Sequence, residues 1–211
     1  MKKMTKTLMI CLAFAMTACS SDDSEPIPVK VPSAKIEVEN LTAKTIPDAV
    51  SPTNPGEMTS AVTVESEGII TDASKISIKL DLQHTFAGDI VIQIFAPSGQ
   101  SCTLMKRVGS TNAGSSRDLL SGNPLTFNTL ATVTINEEAI GSAAVNIPAG
   151  MYLPGNGFNV TPDVVVMSDL SAFLTGKSIK GQWIVKVNDY NPVDSGKLNN
   201  WKLVFDTGAL N

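Results

Sequence analysis

Residues 75–82 read Lys-Ile-Ser-Ile-Lys-Leu-Asp-Leu, and Ile76, Ile78, Leu80 and Leu82 alternate with polar neighbours without a break. A period of two puts every apolar side chain on one side of an extended chain, which fits a half-buried strand and not a helix. The pattern returns near the end, with Trp183, Val185 and Val187 on one face of Gln182–Asp189. Trp201, Leu203 and Phe205 do the same within Lys197–Asp206. Asp89–Phe95 is more continuously apolar, as expected of a strand buried on both faces. Turn signals separate these runs: Pro97 and Gly99 lie within Ala96–Gln100, and a second turn spans Asn191–Gly196. Two hairpins are therefore predicted, over 89–107 and 182–206. Residues 109–162 read as long loops with weaker strands around Thr126–Ile135, and no amphipathic helix stands out. The fold class is all-β, a sandwich.

The first residues follow a different logic. Lys2, Lys3 and Lys6 precede an apolar run from Leu8 to Met16 and then small residues, the three regions of a secretory signal. The run is shorter than the roughly 20 residues a membrane-spanning helix needs. Met16-Thr17-Ala18-Cys19 resembles the lipobox of bacterial lipoproteins, although Met16 stands where leucine is usual. That resemblance implies a signal peptide over 1–18, lipid on Cys19 and a membrane anchor, since acyl chains bury at about 0.8 kcal/mol per CH₂. The acidic Ser20–Pro26 resembles the tether of outer-membrane lipoproteins of the Bacteroidetes, where such stretches favour export to the surface; this implies the cell envelope and the outer membrane, with the periplasmic and surface faces both open. Pro26, Pro28 and Pro32 extend linker-like composition, giving a predicted tether over 19–45 and a domain over 46–207. Residues 208–211 are expected to be a tail.

Charge and chemistry exclude several functions. The formal net charge is −4, and loss of 1–18 would remove three lysines and no acid. An acidic chain without a basic stripe is no partner for nucleic acid. His84 is the only histidine, so it is the only candidate base for a serine triad, and no Gly-x-Ser-x-Gly elbow accompanies it. One histidine and Cys102 fall short of the three or four ligands zinc requires. Cys102 itself reads as a small buried hydrophobe. Asp194-Ser195-Gly196 and Asp206-Thr207-Gly208 mimic aspartic-protease tripeptides, but they flank a single strand and cannot form a two-lobed dyad.

An ordered set of segments resembles the P domain (Homo B domain) found beside the catalytic domain of kexin- and furin-like subtilases. Ile46-Pro47-Asp48 stands at the entrance, and Val62-Thr63-Val64 with Gly68 follows. His84-Thr85-Phe86-Ala87-Gly88-Asp89-Ile90 is similar to the family's His-Thr-Tyr-x-Gly-Asp-Leu, with Phe86 for tyrosine. Ala96-Pro97-Ser98-Gly99 is similar to its Ser-Pro-Ser-Gly turn. Leu170–Phe173 with Gly176, then Gly181-x-Trp183, precede a closing Asp194-Ser195-Gly196-x-Leu198-Asn199-x-Trp201-x-Leu203. The resemblance implies a jelly-roll-like β-sandwich of about eight strands that stabilises or regulates a peptidase. No subtilase catalytic domain stands beside it in these residues, so no catalytic residue is assigned.

Some P domains bind calcium in loops, and Asp89, Asp189 and Asp194 are the matching candidates for Ca²⁺; the same acids serve equally as turn caps. Tyr152 and Phe158 are the aromatic residues expected to be exposed for recognition, glycan included, on loops 109–125 and 150–162. The expected function is a non-catalytic, lipid-anchored, cell-envelope module for a separately encoded peptidase or other envelope protein. The alternatives are a serine-endopeptidase-related protein and a glycan-binding surface lipoprotein.

Overall fold

A computed structural model describes residues 32–110, 113–141, 144–157 and 169–211. It opens with β1 (Ile36–Asn40), β2 (Lys44–Ile46), β3 (Gly56–Val64), β4 (Ile76–His84), β5 (Ile90–Phe95) and β6 (Ser101–Lys106). The middle supplies short pieces: β7 (Asp118–Leu119), β8 (Leu125–Phe127), α1 (Ile135–Gly141), β9 (Asn146–Ile147), β10 (Gly150–Tyr152), β11 (Gly155–Asn156) and α2 (Leu170–Leu174). Two long strands close it, β12 (Gly181–Asp189) and β13 (Gly196–Phe205).

These strands make two sheets, the all-β sandwich that the alternation predicts. One runs β1-β13-β4-β7-β9, with β2 on β13, β8 on β4 and β10 on β8; the other runs β11-β6-β5-β12-β3. Ile76, Ile78, Leu80 and Leu82 are all buried, as are Trp183 and Trp201. The inner faces meet through rings: Trp183 stands edge-on to Phe205 of the opposite sheet at 6.2 Å between centroids, and to Phe173 of α2 at 6.3 Å. Both indole N–H groups are satisfied, Trp183 by the Ile179 carbonyl and Trp201 by Ser60 Oγ, each at 2.9 Å. The β5 strand is buried on both faces for five of its six residues, in keeping with its unbroken apolarity.

The first expected hairpin forms, with β5 antiparallel to β6 and Gly99 in the turn at φ 82°. The second does not. β12 lies antiparallel between β3 and β5, while β13 lies between β1 with β2 and β4 in the other sheet. Residues 190–195 therefore cross from sheet to sheet, and residues 85–89 between β4 and β5 make the same crossing. Alternation cannot distinguish the two arrangements, because inward-facing residues keep period two whichever neighbour they pair with.

The chain also departs from the predicted boundaries. Residues 36–45, assigned to the tether, supply β1 and, with Ile46, β2 along the edge of β13, and the compact unit begins at Pro32. Glu37 gives that stretch its linker-like composition, yet on the outer face it pairs with Lys202 at 2.5 Å, while Ile36 and Val38 pack on the core. The expected tail is likewise docked, with Ala209 and Leu210 buried. Two short α-helices appear among the described residues. α1 starts with a capping box in which Glu137 N–H donates to Thr134 Oγ1 (3.1 Å) and Thr134 N–H to Glu137 Oε2 (2.8 Å). Asp169 caps α2 through Ala172 N–H at 2.9 Å.

Candidate functional site

The two sheet-to-sheet crossings lie side by side at one end of the sandwich and are laced together by side chains. His84 ends β4, where it pairs with Gly196 at the start of β13; Asp189 ends β12, where it pairs with Ile90 at the start of β5. His84 Nε2 lies 3.1 Å from Asp189 Oδ2, with both side chains fully buried. The other ring nitrogen, Nδ1, accepts the Phe86 N–H at 3.2 Å and lies 3.0 Å from the Phe86 carbonyl. Thr85 Oγ1 donates to Asp194 Oδ1 at 2.7 Å. Asp89 accepts from the Asn191 side-chain amide, and its carbonyl takes the Tyr190 N–H at 3.0 Å.

The motif glycines are required by close approach. A Cβ on Gly196 would lie 2.5 Å from the His84 ring and the Gln83 carbonyl. On Gly88 it would meet Gly114 Cα at 2.5 Å, so Gly114 and Ser115 can pack over the crossing only if residue 88 has no side chain. Every residue from His84 to Asp89 thus has a place: ring, hydroxyl, backbone pair, buried Ala87, close-packed Gly88 and carboxylate.

Arg107, which sequence reasoning treats as a strand residue, completes the cluster. Its φ of 42° turns the side chain inward after β6, where Nε donates to the Gly88 carbonyl at 3.0 Å. Nη2 lies 3.5 Å from Asp89 Oδ1, and the guanidinium sits 5.7 Å from the Tyr190 ring centroid. Burial pushes the Asp89 pKa above its ordinary value, while the Asn191 amide and Arg107 pull it back. Burial lowers the Arg107 pKa, opposed by the nearby Asp89 and Asp189.

The three calcium candidates are only partly brought together. Asp89 and Asp189 share this cluster, whereas Asp194 sits outside it on Thr85. Asp189 Oδ1 accepts the Asn191 N–H at 3.1 Å, and its other oxygen faces the imidazole. With a guanidinium already beside Asp89, these carboxylates do not fit a Ca²⁺ site, because an added dication would face Arg107. No group of three or more His, Cys, Asp or Glu side chains suited to a metal occurs among the described residues. Asp189 and Asp194 act here as acceptors within the crossing.

The same geometry bears on a serine nucleophile. Ser195 and His84 line one cleft of about 370 Å³ with Thr85, Asp118 and Leu120. Both imidazole nitrogens are engaged elsewhere, so a serine proton has no acceptor on the ring without breaking one of those contacts.

Tyr152, expected on an exposed loop, is 4% exposed on β10, and its hydroxyl donates to the Pro148 carbonyl at 2.8 Å. The loop reading failed because β10 is a three-residue strand held by parallel pairing with β8, a contact with no periodic signature. Phe158 and Cys19 lie outside the described residues. Arg107 could have been suspected only from a cation closing an apolar strand; Asn191 and Tyr190 carry no local signal.

Distant structural similarity links the chain to the serine protease of Aeromonas sobria in complex with a chaperone, at 15% identity and a TM-score of 0.38, covering 85% of this chain and 28% of that one. A further crystal structure of the serine protease of Aeromonas sobria matches at 14% identity and a TM-score of 0.36, over 86% of this chain and 28% of the other. The chain thus spans little more than a quarter of the length of these proteins. The profile of the proprotein convertase P-domain matches residues 73–147 and 162–205, more than half of the sequence and both laced crossings. The chain belongs to the proprotein convertase P-domain family.

Proposed function

We propose that this protein is a non-catalytic, lipid-anchored module of the cell envelope that binds or stabilises a separately encoded peptidase. Family membership supports the peptidase association. The observation that carries the non-catalytic part is the engagement of both His84 nitrogens inside a buried clasp, which makes the one imidazole a structural residue. The lipobox-like segment ending at Cys19 supports the anchor. Crosslinking of intact cells followed by capture of the tagged chain tests the reading. A peptidase is expected among the captured proteins, and Cys19→Ser is expected to move the chain from the membrane to the soluble fraction. Recovery without any peptidase would refute the association, and unchanged membrane retention of Cys19→Ser would refute the anchor.

A further inference from the structure

The end of the sandwich that holds the laced crossings also carries a preorganised projection. Val193 and Val50 are 88% and 79% exposed, the most exposed large hydrophobic residues described. Val193 has φ 94°, a left-handed backbone that a β-branched residue rarely adopts and that glycine would adopt freely. Its side chain therefore stands in solvent against both hydropathy and local conformational preference. Strain of that kind persists only where the surroundings fix it. Here they do: Val193 N–H donates to Asp48 Oδ2 at 2.9 Å, Asp194 is held by Thr85, and Asn191 is held by Asp89 and Asp189. Asp48 is itself positioned by a close crossing, since a Cβ on Gly56 would fall 1.7 Å from the Pro47 carbonyl. Val50 follows two residues later, where its N–H bonds the Asn54 carbonyl at 3.1 Å.

Resting on the binding-module reading above, we propose that residues 48–54 and 190–195 form a protein-docking tip whose Val50 and Val193 enter an apolar socket with a basic rim on the partner. Charge selects that occupant. Asp48 is exposed and Asp194 partly so, and neither makes an ion pair among the described residues. An acidic tip repels an anionic lipid surface and a second copy of itself, and favours a basic rim. Side chains already held in one position lose little entropy on binding. Position agrees. The chain enters the sandwich at Ser33, which holds Gly208 and Leu210 at the Phe205 end of β13. The tip lies at the Gly196 end, about 30 Å away over ten residues of strand. The tip therefore lies at the opposite end of β13 from Ser33.

The test uses the full chain in its own cells with a photoreactive amino acid at 193, at 50, or at Lys79 on a sheet face. Discrete protein adducts are expected from 193 and 50 and not from 79, with mass spectrometry placing them beside Lys or Arg on the partner. Adduct from 50 is expected to fall at least tenfold on Val193→Gly, a change that suits the backbone and should leave the melting temperature equal or higher. Adduct from 79 alone would overturn the tip and leave the binding-module reading standing. Adducts to a second copy, or to an acidic surface, would overturn the proposed partner. Absence of adduct from all three positions would overturn both readings.

Discussion

At the residue scale, Asp89 shows how one side chain can be legible as important and illegible in its role. Its place after Gly88 in a recognisable segment marks it, but its partners Asn191 and Arg107 are distant in sequence and come together only through two crossings. Because burial raises its folded-state pKa above the unfolded value near 4, the folded protein holds that proton more tightly. Its stabilising contribution is therefore complete below the unfolded pKa and is lost as pH rises through the folded one. The stability difference between wild type and Asp89→Asn should accordingly decline from pH 3 towards neutrality, by at most about 1.4 kcal/mol per pH unit. Urea denaturation of both proteins across that range checks this; a difference that grows with pH would show that the Arg107 attraction outweighs desolvation. His84 follows the same lesson. The sequence isolates it as the sole imidazole, and only the fold reveals that Asp189 holds one nitrogen and the Phe86 backbone the other.

At the scale of elements, β1 and β2 matter more than their composition suggests. They cover the edge of β13, and they also screen the edge of the other sheet. Asn40 donates to the Ala61 carbonyl at 2.9 Å and Lys44 Nζ to the Thr59 carbonyl at 2.8 Å, both on β3. Unpaired edge groups that would otherwise recruit foreign strands are thereby blocked. A chain beginning at Pro47 should be less stable than one beginning at Pro32 by roughly 3–6 kcal/mol. That range follows from losing buried Ile46 and half-buried Ile36 and Val38, at about 1.5–3 kcal/mol for each full burial. Chemical denaturation of the two fragments measures it, and equal midpoints would show that residues 36–46 are dispensable. This segment was missed because a short strand with two acids and two aliphatic residues has too little pattern to stand out from a linker. The long strands β4, β12 and β13 had no such problem.

At the scale of the molecule, the core is one continuous body shared by both sheets, and Cys102 reports on it. The thiol is buried and its pKa is pushed up to about 12 by desolvation, so very little thiolate exists at pH 8. In a fragment starting at Pro32, where Cys102 is the only cysteine, a thiol reagent should react no faster than the protein unfolds. Immediate stoichiometric labelling under native conditions would show that the core opens locally at β6. The sequence alone determined the fold class, the inward faces of the three long alternating strands and the family, because alternation and turn chemistry are local properties encoded within a few residues. Beyond the β5–β6 hairpin, tertiary structure alone decided which strands became neighbours. It placed β12 and β13 in opposite sheets, buried Tyr152, drew residues 36–45 into the fold and set Arg107 against Asp89. The physical reason is that pairing depends on which edges are already occupied and which backbones can approach closely, quantities set by the whole chain at once and carried by no single stretch of it.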